Sequence, residues 1–308
     1  METTTQESRP KISVVIASVN GAGHVDDCLK SLANQTVKGV DEVIITDCCG
    51  DGVTELIRTK YPQPNIRLFS YTERKTIPEL RAIGMKEARG DIIAITEDHC
   101  VAEPHWYERM LRAHAEHYGA IGGAVENDAS ITGIIDWAVY FCEYSAFLNP
   151  VPTGETNDIP GNNTSYRREF LEHIRDMLDA GNFWEGFLNG RLMEKGIKVY
   201  SFPEIIVYHK KVFGFRYFLS QRYHYGRSYA GMRVENAPFW KKLAYAGFCP
   251  LLPALLIGRI GYRVLVKKRY LGKFFASFPF LVIFSLAWAW GEFVGYLFGP
   301  GDSLLKVE

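Results

Sequence analysis

The residues best placed to do chemistry are Glu97, Asp98 and His99, two carboxylates and an imidazole that follow the apolar run Ile92-Ile93-Ala94-Ile95-Thr96 without a spacer. Such a trio can hold a divalent cation or hydrogen-bond a sugar hydroxyl, and the alternative is a solvated exit from a strand. Asp47, after Val43-Ile44-Ile45-Thr46, repeats the arrangement: it can accept from a ribose hydroxyl or a base N–H, or simply cap a helix. Asn162 and Asn163 can bind sugar hydroxyls or cap the helix expected near Arg168. Glu185 stands between Trp184 and Phe187, where desolvation would suit a general base; the alternative is a carboxylate favoured by a helix N-terminus. Arg191 lies almost two helical turns beyond it and need not pair with it. His209 ends an apolar stretch as His99 does, as a structural histidine or as a metal ligand.

The elements that must position these groups read as a doubly wound α/β fold. Runs at 11–18, 40–46, 66–70 and 90–97 are apolar without polar alternation, as strands covered on both faces are. Helical spacing separates them at 26–34, 54–60 and 77–88, so the strands are expected to be parallel βαβ units with ligands at their carboxyl ends. A helix is expected over 104–117, a strand over 120–125, a further helix over 131–148, a polar loop over 150–160, and last strands over 198–202 and 204–208. The Asn20-Gly21-Ala22-Gly23 loop lacks the full dinucleotide-binding fingerprint, so its glycines are read as turn formers.

Bulk properties narrow the classes. The 308 residues carry a formal net charge of zero, which gives no global field for nucleic acid. The six cysteines have no metal-ligand spacing and suit a reducing compartment. Residues 1–10 are polar, without the apolar stretch of a cleavable signal, and are expected to be a disordered lead before a domain over 11–211.

Taken in order, Ile16-Ala17-Ser18-Val19-Asn20, Ile44-Ile45-Thr46-Asp47, the run from Leu80-Arg81 to Gly90-Asp91, Glu97-Asp98-His99, Gly161-Asn162-Asn163, Glu185 six residues before Arg191, and Tyr208-His209 resemble the inverting family 2 glycosyltransferases. The resemblance implies a GT-A domain, with a mixed and mainly parallel Rossmann-like sheet, that binds a nucleotide-diphosphate sugar, a UDP-sugar in the first place, and a divalent cation, Mn²⁺ or Mg²⁺. It implies donor contacts from Ser18, Asp47, Arg81, Glu97 and Asp98, and a metal site of Asp98, His99 and His209. It further implies acceptor contacts from Asn162, Asn163 and Arg191. Glu and His replace the outer acids of the family's D-x-D motif, and a neutral imidazole suits Mn²⁺ better than Mg²⁺. Glu185 occupies the position of the family's general base.

Beyond His209 the composition changes. Residues 212–242 interleave aromatics with Arg216, Arg222, Arg227 and Arg233, as expected of an amphipathic segment in a lipid headgroup region. Residues 243–308 form the expected membrane region. The stretch 274–291 has no charge, whereas 243–258 is short and contains Pro250 and Pro253, so one or two spans are possible. Two spans would put Lys267, Lys268, Arg269 and Lys273 outside, against the positive-inside tendency. The expected protein is thus an inner-membrane enzyme facing the cytosol, with a lipid-linked or growing glycan acceptor in envelope or exopolysaccharide synthesis. The rivals are a sugar nucleotidyltransferase, for which 19–25 lacks Lys and Arg, and a silent scaffold.

Overall fold

The computed structural model describes residues 11–39, 41–116, 118–181 and 184–307. The lead over 1–10, the strand start at Val40 and the helix end at His117 lie outside them. The chain divides into two compact units, one formed by the residues up to Ala124 together with Pro152–Val207, the other by Val125–Val151 and the chain from Tyr208 onward.

In chain order the elements begin β1 (Ile12–Ser18), α1 (Ala22–Ala33), β2 (Asp41–Asp47), α2 (Asp51–Lys60), β3 (Ile66–Ser70), α3 (Ile77–Glu87) and β4 (Ile92–Glu97). These four strands are parallel, and their buried Val and Ile side chains fill the first unit's core. There follow β5 (Cys100–Ala102), α4 (Trp106–His114), β6 (Ala120–Asn127), α5 (Ile134–Tyr144), β7 (Gly154–Glu155), β8 (Thr164–Arg167), a 3₁₀ turn over Arg168–Ile174, α6 (Arg175–Ala180), α7 (Glu185–Glu194) and β9 (Val199–His209). The sheet runs β3-β2-β1-β4-β8-β6-β9-β5, with β7 on β9. Because β8 is antiparallel to both β4 and β6, the sheet is mixed but mainly parallel, as expected.

Three expectations need correction. The last two strands are one, β9, because Pro203 removes a single ladder donor while Tyr200 and Ser201 still pair with β7 and Ile206 accepts from Glu103. The helix expected from Pro104 begins at Trp106 after a turn. The helix near Arg168 opens as a 3₁₀ turn.

The second unit contains α5, α8 (Phe215–Arg233), α9 (Phe239–Phe248), α10 (Leu252–Lys267) and α11 (Leu271–Phe298). Two helical runs, Phe239–Lys267 and Leu271–Phe298, are long and apolar enough to cross a membrane. Phe218, Ile260, Val264, Phe274, Leu281 and Phe284 share one core with α5. The crossing of α8 and α11 depends on glycine: a Cβ at Gly226 would lie 2.5 Å from the Trp288 carbonyl oxygen, and at Gly291 or Gly295 it would strike the backbone of Tyr223 or Arg227.

Candidate active site

The first four strands end their carboxyl edge on Ser18, Asp47, Ser70 and Glu97; the first three are in register, and Glu97 pairs with Ala17, one residue short of Ser18. Ser18 and Asp47 are direct partners across β1 and β2 and both are fully buried. Asp47 Oδ2 accepts from the Cys49 amide at 3.1 Å, while Oδ1 is buried without a hydrogen-bond partner among the described residues. Burial raises the Asp47 pKa against the opposing bonds of Ser18 and Cys49. An acceptor oxygen left without a donor inside a protein is costly, so Asp47 is poised for a ligand N–H or O–H.

Helix α3 starts with a capping box in which the Thr76 hydroxyl accepts from the Glu79 amide and the Glu79 carboxylate accepts from the Thr76 amide. One turn further on, Arg81 is 2% exposed. Its guanidinium donates to Glu185 through one nitrogen, and through the other to Glu97 Oε1 at 2.8 Å. Glu185 is the first residue of α7, where the helix dipole favours a carboxylate. A Cβ on Gly161 would lie 2.8 Å from Glu185 Oε2, so this loop position must be bare for the carboxylate to pass.

From Glu97 the polar chain continues to His99, whose Nε2 lies 3.2 Å from Glu97 Oε2 and whose Nδ1 lies 2.9 Å from Asp98 Oδ1. Burial alone would lower the His99 pKa, but the bonds with Asp98 and Glu97 outweigh it and push it up to about 9. The imidazole, expected neutral, is thus cationic in this arrangement. Asp98, 1% exposed, accepts from the amides of Val19 and Asn20 at 3.0 and 2.8 Å and from Asn20 Nδ2 at 2.7 Å. Burial opposes its ionisation, yet these bonds and His99 hold its pKa below the usual value. Its role here is to fix the β1–α1 loop against the end of β4.

The donor atoms of Glu97, His99 and Cys100 lie within 4.8 Å of one another. Carboxylate, imidazole and thiol form a borderline set that fits Mn²⁺ better than Mg²⁺. Burial raises the Cys100 pKa well above that of an ordinary thiol, so Glu97, and His99 once deprotonated, are the stronger donors. The sequence assigned no role to Cys100, which adjoins the Glu97-Asp98-His99 motif, or to Asn20, which lies within the motif that ends the first strand.

The other expected residues divide. The Asn163 amide is wholly committed to the interior: it donates to the carbonyls of Ala124 and Ile205 and accepts from Trp106 Nε1, each at 2.8 Å. Asn162 donates to Cys100 Sγ at 3.4 Å, and its buried carbonyl oxygen has no partner among the described residues. Arg191 stands on the outer side of α7 with Asp176 at 3.4 Å and Glu194 at 3.7 Å, away from Glu185. His209 belongs to the second unit, where its ring stacks on Phe213 and lies against Tyr144.

Comparison with known proteins agrees with this geometry. The model of the family described as Glycosyl transferase family 2 matches residues 13–175. The uncharacterized glycosyltransferase YwdF of Bacillus subtilis (strain 168) is 28% identical over 102 residues, 33% of this chain and 37% of that protein. Polypeptide N-acetylgalactosaminyltransferase 12 of Mus musculus is 26% identical over 141 residues, 44% of this chain and 23% of that protein. The chain thus spans little more than a third of these relatives at most. Among solved structures, S. aureus TarS 1-349 in complex with UDP-GlcNAc superposes with TM-score 0.52 at 15% identity, covering 66% of this chain and 59% of that one. The mannosyltransferase PcManGT from Pyrobaculum calidifontis, in complex with GDP-Man and Mn²⁺, gives TM-score 0.55 at 15% identity, covering 91% and 87%. At such identity the likeness is one of fold, and that fold is GT-A.

Proposed function

This chain belongs to glycosyl transferase family 2, and from that premise we propose that it is an inverting glycosyltransferase using a nucleoside-diphosphate sugar. The observation that carries the reading is the unbroken polar chain Glu185–Arg81–Glu97–His99–Asp98 along the carboxyl edge of the sheet. Ser18 and Asp47 stand at the end of that edge, where the unpartnered Asp47 oxygen suits the N–H or O–H of a nucleoside. The two structural neighbours bind UDP-GlcNAc and GDP-Man, which supports a nucleotide sugar as donor.

Glu185 is assigned as the base that takes the proton from the acceptor hydroxyl as its oxygen attacks the anomeric carbon opposite the leaving group. Arg81 holds the Glu185 carboxylate in place, and its cationic fork also suits the departing diphosphate. Asn162 offers its free carbonyl to the sugars. Glu97, and His99 after giving up its proton, would hold the divalent cation, which would stabilise negative charge on the leaving group. The apolar second unit supports attachment to the inner membrane with the catalytic unit in the cytosol, and so a lipid-linked or growing glycan acceptor.

The test is to incubate the full chain with a panel of nucleoside-diphosphate sugars, with and without Mn²⁺, and to score nucleoside diphosphate release. Glu185→Gln should reduce transfer at least about a hundredfold while donor binding persists. Release of pyrophosphate from a nucleoside triphosphate and a sugar 1-phosphate, supplied in a parallel incubation, would instead make the protein a nucleotidyltransferase, and a fully active Glu185→Gln would remove Glu185 from the base role.

A further inference from the structure

We infer that the second unit binds the membrane from one side, as a face embedded in a single anionic leaflet, and that neither of its long apolar helices crosses the bilayer. The inference rests on the membrane attachment proposed above and specifies its form.

A spanning helix has its two ends in opposite aqueous phases and lipid or apolar partners between them. Both ends of helix α11 are instead tied to polar groups of the same unit. At its start, the turn from α10 is tied to the polar segment around α5: Arg269 donates to Glu126 Oε1 at 2.5 Å and to the Asn149 carbonyl at 3.1 Å, and Lys267 donates to the carbonyls of Ser145 at 3.3 Å and Ala146 at 2.9 Å. At its end, the tail returns to α8: Gln221 donates to the Lys306 carbonyl at 2.9 Å, His224 lies 3.1 Å from the Ser303 hydroxyl, and Arg227 donates to the Gly299 carbonyl at 3.2 Å.

Between the ends, α8 accompanies α11 in the same direction, from Phe215 beside Phe284 to Gly231 against Pro300. Helix α8 carries Arg216, Arg222, Arg227 and Arg233 within its 19 residues. Each arginine at the centre of a bilayer costs roughly 3 kcal/mol even on the mildest scale, so α8 cannot cross. The glycine contacts between α8 and α11 are too close for the two to part, so α11 cannot cross without it.

What remains for lipid is one face. The solvent side of α11 is apolar, with Phe275, Leu286 and Trp290 all more than half exposed, while Phe274, Leu281 and Phe284 on its other side are buried. The run Phe239–Lys267 adds Phe248, Leu251 and Leu255. Its prolines and a 3₁₀ turn break that run at Cys249–Leu251, as suits a helix lying in a plane rather than a straight span. Residues 239–291 carry eight Lys and Arg and no Asp or Glu. That balance fits anionic headgroups around an inserted apolar face, and it would repel a second copy of the same surface.

The test uses the full chain with reporter cysteines Glu235→Cys, Lys268→Cys and Asp302→Cys, one at a time in the parent chain, whose own labelling is subtracted. Membrane vesicles of both orientations are treated with an impermeant maleimide, and retained nucleoside diphosphate release shows that each variant folds. One-sided binding predicts labelling of all three from the cytosolic face and of none from the other until detergent is added. Lys268→Cys labelled only from the far face would mean two spans; Asp302→Cys alone on the far face would mean one. Either result overturns the one-leaflet inference and leaves membrane attachment standing. Failure of the parent chain to bind phosphatidylcholine–phosphatidylglycerol vesicles, with dimers in solution, would overturn the attachment itself.

Discussion

Replacing Arg81 with Met should be the most damaging single change in the first unit. The side chain is 2% exposed and lies between two carboxylates, Glu185 and Glu97, that it neutralises together. Methionine fills similar space but leaves both acids facing an uncharged stem. Removing one partner of a buried ion pair costs about 3–5 kcal/mol. Glu97 keeps His99 at 3.2 Å, so most of the loss falls on Glu185 and the lower figure, about 3 kcal/mol, applies. With a urea slope of about 2–3 kcal/mol per molar, the unfolding midpoint in a nonionic detergent should fall by about 1 M or more, read by tryptophan fluorescence. The decisive measurement is the cycle with Glu185→Gln. A neutral amide needs no cation, so Arg81→Met in that background should cost about 2 kcal/mol less. Arg81→Lys should fall between, because an ammonium cannot reproduce the fork that meets both acids. Equal costs of Arg81→Met in the two backgrounds would refute the coupling, and with it the view that Arg81 holds Glu185 in place.

Gly161→Ala should leave the unfolding midpoint nearly unchanged while lowering kcat, because its Cβ would press on the Glu185 carboxylate; unaltered kcat would show that the carboxylate has room to spare. His114 is buried against the Ser165 hydroxyl at 2.8 Å, and burial, then the charge of Arg167, lowers its pKa to about 3. Between that value and the unfolded value near 6.5 only the unfolded chain takes the proton, so stability falls as pH falls, by about 2 kcal/mol from pH 6.5 to 5; His114→Gln should flatten that slope, and an unchanged slope would place the effect elsewhere. Gly291→Leu should force α8 and α11 apart and lower thermal stability in detergent by about 1–3 kcal/mol or more, whereas Gly272→Leu on the open side of α11 should not; equal effects would count against the close crossing.

Legibility in the sequence followed range. The strands that carry Ser18, Asp47 and Glu97 were readable because an apolar run covered on both faces is a local signal, and the polar residue that ends it marks the edge of the sheet. Contacts across long separations were not. Nothing near Arg81 points to Glu185, 104 residues on, and nothing near Asn20 points to Asp98, 78 residues on. Asn163 looked like a ligand-binding amide because an amide has the same composition whether it faces a sugar or, as here, three partners inside the protein. The arginine-rich stretch 212–242 read as an amphipathic segment in a headgroup region, with no sign of its packing on α11, because the glycines that bring the two together are single residues with no periodicity of their own.

The same long-range contacts explain why the site should behave as one object. Asp98 holds the β1–α1 loop, His99 joins Asp98 to Glu97, and Arg81 joins Glu97 to Glu185, so each charged group touches only partners of opposite sign. In such a row the loss of one member leaves its neighbours with an unmatched buried charge rather than with a missing contact. Substitutions at Asp98 and Glu185 should therefore be non-additive although the two residues share no direct bond, whereas substitutions at Asp98 and Arg191 should add, because Arg191 pairs on the outer side of α7 with Asp176 and Glu194 and takes no part in the row.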